Sequence, residues 1–102
     1  MKSIVFRVRK QYFDAIVSGE KKVEHRKDSP FWRKRLGPIA DKKFPSQQEP
    51  MIAVFLCGKR VHRRKVTYVE KVLTPSWFSE QGKKDVPTEF CYAIYLGEKI
   101  NG

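Results

Sequence analysis

Apolar and polar positions along this chain follow two rhythms. Ile4, Val5, Phe6 and Val8 make a short β-type run. From Lys10 the period lengthens, so that Tyr12, Phe13, Ile16 and Val17 share one helical face. Gly19 stands where a helix C-terminus favours a left-handed residue, which predicts a helix over 10–18. A second strand, irregular at its start, is predicted over 21–27 around β-branched Val23. Ser29-Pro30 supplies an N-cap followed by proline at the first helical position, opening a short helix through Arg35. Gly37 to Pro50, with three prolines and few aliphatics, reads as a loop.

Met51 to Cys57 is apolar on both faces, as an interior strand is. Gly58-Lys59-Arg60 turns into a long strand, Val61 to about Leu73, basic in its first half and mixed in its second. Thr74-Pro75-Ser76 predicts a helical turn carrying Trp77 and Phe78, then a polar loop over Gly82–Pro87 and a last strand over Phe90–Leu96. Strands interrupted by short helices predict a small α+β barrel.

At 102 residues the chain is expected to form one domain, 1–102. Its longest apolar run falls far short of the ~20 residues of a membrane span, and charge returns at Arg7 before any signal-type stretch. A soluble, cytoplasmic protein with no membrane partner is the expectation. Charge then narrows the partners. The net charge is +11, and residues 1–43 hold 13 basic against 5 acidic side chains. Such an excess attracts polyanions, of which nucleic acid is the commonest in a cell. Cys57 and Cys91 lie in apolar stretches and are expected to be core thiols. With His25 and His62 they show no metal-ligand spacing, so neither a metal nor a cofactor is expected.

Candidate chemistry gathers in Gly19-Glu20-Lys21-Lys22-Val23-Glu24-His25-Arg26. On a strand Lys22, Glu24 and Arg26 share one face, with Val23 and His25 opposite. Lys21, at the bend after the helix, is placed to swing its amine toward Glu24. Periodicity leaves two readings open: a solvated charge ladder worth ~0.2–1 kcal/mol per pair, or one wall of a polar cleft.

The pattern Gly19-x-Lys21-x-x-Glu24-x-Arg26 follows the helical Tyr12-Phe13-Asp14-Ala15-Ile16 and precedes Trp32. It resembles the ASCH domain family of the PUA-like superfamily. The strand ending Cys57-Gly58 and the stretch Tyr92-Ala93-Ile94-Tyr95 fit that layout too. The resemblance implies a PUA-like β-barrel flanked by short helices, with a cleft lined by Lys21, Glu24 and Arg26, and RNA binding. One branch of the family removes the acetyl group of N4-acetylcytidine with a lysine, a threonine and a distal glutamate. Lys21 falls on that lysine, but Glu24 stands where the branch has threonine. Glu80 and Glu89 both lie in plausible stretches for the distal glutamate.

These residue types suit a nucleic-acid pocket. Lys21 and Arg26 can hold phosphate or a base carbonyl, and Glu24 can accept from an exocyclic amine, as carboxylates do with cytosine. Trp32 or Tyr92 can stack a base. Basic runs containing Arg33, Arg35, Lys42-Lys43, Lys59-Arg60 and Arg63-Arg64-Lys65 suit backbone phosphates. The expected ligand is single-stranded RNA or a modified nucleoside. The alternative is a small hydrolase acting on either, with Lys21 and Glu24 catalytic. The expected fold is a closed or nearly closed barrel, with the first helix at one end burying Tyr12, Phe13, Ile16 and Val17.

Overall fold

Helix α1 spans Lys10–Ser18, and Gly19 ends it at φ +86°, a left-handed conformation that a β-carbon would strain. It belongs to a computed structural model that describes residues 2–43, 51–75 and 89–100. The expected turn at Trp77 and Phe78, the loop over Gly82–Pro87 and the candidate Glu80 lie outside those residues.

The strands are β1 (Lys2–Arg7), β2 (Val23–Lys27), β3 (Lys42–Lys43), β4 (Met51–Cys57), β5 (Arg60–Leu73) and β6 (Phe90–Lys99). Helix α2 (Pro30–Leu36) follows β2, and Ser29 Oγ accepts from the Trp32 N–H as its N-cap. A single 3-10 turn, Gly37–Ile39, continues from α2. The architecture is mixed α+β: a curled half-barrel sheet with two short helices.

The hydrogen-bonded order is β1-β4-β5-β6-β2, with β3 added on β5. β1 runs parallel to β4, Lys2 opposite Met51, and every other pair is antiparallel. β5 bends because its register against β6 shifts twice between Arg64 and Tyr68, so its first half serves β4 and its second β6. Gly97 sits opposite that irregularity, where an added β-carbon would lie 2.8 Å from Thr67 Cγ2. No ladder joins β1 to β2 among the described residues, so a seam remains in the barrel that was expected to be closed or nearly closed.

The core lies inside the curl. Phe6 stacks on Phe55 at 5.5 Å and on Trp32 at 5.2 Å between ring centroids. α1 contributes Phe13 and Ile16, both buried against the sheet. Two expectations need correction here. Val17 is 38 % exposed, because it falls a further 100° round the helix from Ile16 and past the edge of the contact. Tyr12 is half-buried, its ring lying 4.8 Å from the Lys21 amine.

The predicted loop over 37–50 also contains structure. Asp41 adopts φ +64° and donates its N–H to Val69 O at 2.6 Å, which lays Lys42–Lys43 alongside β5.

One arginine ties α1 to the sheet. Arg64 donates to the carbonyls of Ile16 (2.9 Å) and Gly97 (3.2 Å), and its Nε donates to His62 Nε2 at 3.1 Å. A helix C-terminus carries unpaired carbonyls and partial negative charge, so a guanidinium is well matched to it.

His62, 7 % exposed, accepts that bond only as the neutral imidazole. Its pKa is held below 6.5 by burial first, then by Arg64 and Lys99; that of His25 is lowered by burial and by Lys21. The unfolded chain takes up these protons before the folded one. Stability is therefore expected to be full above pH 6.5 and to fall as pH drops through the region just below it. Urea melts between pH 7.5 and pH 5 (~ values that bracket an ordinary histidine) check this. An unchanged slope in the His25→Gln/His62→Gln double variant would contradict it.

Candidate functional site

The turn at Gly19 and the bond from the Lys21 N–H to Ala15 O deliver the chain from α1 into β2. Lys21 Nζ then reaches Glu24 Oε1 at 2.8 Å, and the other carboxylate oxygen meets Arg26 Nη2 at 3.0 Å. Arg26 Nη2 also donates to the carbonyl of Arg7, bridging the seam from β2 to β1. Its guanidinium lies 5.2 Å from both the Phe6 and the Trp32 ring centroids. Glu24 is 4 % and Arg26 3 % exposed, while Lys22 precedes β2 and is exposed.

The face carrying Glu24 and Arg26 is thus no solvated ladder but a buried chain of two cations on one carboxylate. Arg26 is fixed by Glu24, by a backbone carbonyl and by two rings. Glu24 is buried, with Oε1 on Lys21 and the His25 N–H and Oε2 on Arg26, and it does not line the cleft, so it is not placed to meet an exocyclic amine there.

A cleft of about 970 Å³ opens along the seam. Lys2 and Arg7 of β1, Arg26 and Lys27 of β2, and Arg35 of α2 line it. Its apolar wall includes Val5, Trp32 and Phe31, the last 54 % exposed. Arg35 stacks its guanidinium on one face of the Phe31 ring, 3.6 Å from the centroid, and donates to the Phe31 carbonyl. No carboxylate lines the cleft among the described residues.

Of the three motif residues only Arg26 lines this cleft; Lys21 and Glu24 stand behind it as support. Trp32 reaches it from the core, whereas Tyr92 is buried, its hydroxyl donating to Asp28 at 3.1 Å.

The remaining basic candidates are dispersed. Arg33 pairs with Asp28 at 3.0 Å, and that bond, with the Tyr92 hydroxyl and Lys71 beside it, holds the Asp28 carboxyl below its ordinary pKa. Lys65 pairs with Glu98 at 2.7 Å, and Arg63 is half-buried on β5. Arg64 is occupied under α1.

Glu89 is exposed at the start of the β6 segment. Cys91 is buried, and burial pushes its thiol pKa up; Cys57 is half-buried. No three His, Cys, Asp or Glu side chains converge as metal ligands among the described residues.

Sequence reasoning missed Lys2, Arg7, Lys27 and Phe31. The cleft forms between strands remote in sequence, and no local pattern announces it. The available signal was Phe31 itself, a large aromatic four residues before Arg35 on a helix otherwise basic on its surface.

No family model, curated protein or solved structure matches this chain. No helix among the described residues is long and apolar enough to cross a membrane.

Proposed function

We propose that this chain is an RNA-binding domain of the PUA-like, ASCH type, whose seam cleft takes a single-stranded segment. The observation that carries the reading is the cleft between β1 and β2, which gathers Lys2, Arg7, Lys27 and Arg35, with Arg26 buried in its wall, and the exposed Phe31 in one concavity. Cations suit phosphates, and an accessible ring suits an unstacked base, a contact worth ~1–3 kcal/mol in single-strand complexes. In this reading Gly19 sets the turn, while Lys21 and Glu24 hold Arg26 in the wall. Phe31 takes the stacking role that Trp32 and Tyr92 were expected to fill.

Hydrolysis of RNA or of a modified nucleoside by Lys21 and Glu24 has less support. Glu24 is buried with its oxygens on Lys21 and Arg26, and neither Lys21 nor Glu24 lines the cleft.

The test is fluorescence anisotropy with a labelled single-stranded RNA. If about three or four phosphates are neutralised (roughly the cleft cations other than Arg26), affinity should fall about 10- to 50-fold between ~50 and ~200 mM salt. The Arg35→Ala/Lys27→Ala pair should weaken binding across all salt concentrations and flatten the slope. A salt-independent affinity, or none at ~50 mM, removes the proposal.

A further inference from the structure

The backbone of β1 borders the cleft as an open edge. The Val8 N–H donates to Leu56 O of β4, whereas the Arg7 carbonyl accepts from Arg26 on the opposite side. Backbone groups alternate sides along a strand, so Ser3 and Val5 turn both N–H and C=O away from β4, as Arg7 turns its carbonyl. Both residues line the cleft, and no described group pairs with their backbone on that side. A donor and an acceptor on one residue, repeated two residues on at about 6.6 Å, is the complement of another strand.

Helix α2 lines the same cleft through Phe31, Trp32 and Arg35, which makes it a groove between a strand edge and a helix. Extended peptides add to such exposed edges, with main-chain bonds giving affinity and the flanking side chains giving specificity. Here the flanks are one-sided in charge. Lys2 and Arg35 stand exposed in the groove, and no described carboxylate lines it. Val5 and Phe31, each about half exposed, add apolar contact.

We propose that the cleft also takes an acidic, extended peptide of a partner protein, which adds to β1 as a strand and, by filling the groove, excludes RNA. The exclusion rests on the RNA-binding reading; the strand addition stands without it. The backbone groups of Ser3 and Val5 pair with the peptide, and its carboxylates answer Lys2 and Arg35.

The probe is a short, capped, labelled peptide of alternating glutamate and valine, titrated into the intact protein and followed by anisotropy. It should bind, and the unlabelled peptide should displace labelled single-stranded RNA. Its N-methylated counterpart has the same charge and no main-chain donors, and should bind at least about tenfold more weakly, since more than one hydrogen bond is lost. Val5→Pro removes an N–H turned into the cleft and none that faces β4, a position where an edge strand tolerates proline. Melts should still show a folded protein, and peptide affinity should fall about three- to tenfold.

No binding of the glutamate–valine peptide at about 1 mM overturns the proposal, whatever RNA does. Equal binding by the N-methylated peptide shows that charge alone holds it, and overturns the strand addition even if Val5→Pro fails to fold. A folded Val5→Pro variant with unchanged affinity overturns the assignment to β1. Peptide and RNA bound together overturn the exclusion. Peptide binding with the N-methyl loss, and no RNA binding at all, brings down the RNA-binding reading and leaves the strand addition standing.

Discussion

Glu24→Ala is expected to destabilise the fold by about 3–5 kcal/mol, the usual cost of removing one partner from a buried ion pair. The carboxylate lies between Lys21 and Arg26, and its loss leaves the Arg26 guanidinium 3 % exposed with no counter-charge on Glu24. Two cations would then face each other across the gap. A domain of this size has only ~5–15 kcal/mol in hand, so the thermal midpoint should drop by more than about 10 °C. Glu24→Gln keeps an oxygen acceptor and should fall between the parent and the alanine variant. Thermal and urea melts followed by circular dichroism give the answer. A midpoint within about 2 °C of the parent, less than ~1 kcal/mol on the same scale, would mean the chain of charges contributes little. On this expectation the motif acts on stability, whereas its alternating charges left a solvated ladder and the wall of a polar cleft both open.

Arg64→Ala is expected to cost about 2–3 kcal/mol while leaving RNA affinity of the folded protein unchanged. Hydrogen bonds to a charged group contribute ~1.5–3 kcal/mol, and this side chain joins the α1 carbonyls, the β6 carbonyl of Gly97 and His62. Arg35→Ala should show the opposite split, near-parental stability with weaker binding, because Arg35 is exposed at the rim of the cleft. Measuring melts and anisotropy on both variants separates the roles. If Arg64→Ala binds RNA weakly while melting like the parent, the arginine belongs to an interface and not to the helix.

The contrast between these two arginines shows what a sequence can carry. Local rules reached α1 to the residue, because Gly19 and the 3.6-residue rhythm act within one turn. They reached α2 through Ser29 and Pro30, and β4 through its unbroken apolar run. Arg63 and Arg64, adjacent and chemically alike, differ only in which face of β5 they occupy and in what α1 places there. That depends on packing across the fold. The cleft was hidden for the same reason, since its walls come from β1, β2 and α2 and meet only through the curl of the sheet. The Lys21–Glu24–Arg26 grouping was legible, but its burial was not, because the same alternation serves a wet face and a dry one.

The strand order also has a consequence during synthesis. β1 leaves the ribosome before the other described strands, yet its partner β4 follows only at Met51, and β2 must wait for β6, beginning at Phe90. Until then the early strands have no neighbour to hydrogen-bond, and only α1 and α2 are local enough to form. The nascent chain therefore has no seam and no concavity, only a row of loose cations. On the proposed function, RNA met beside the ribosome is held by charge alone until β6 has closed onto β2 and the cleft exists.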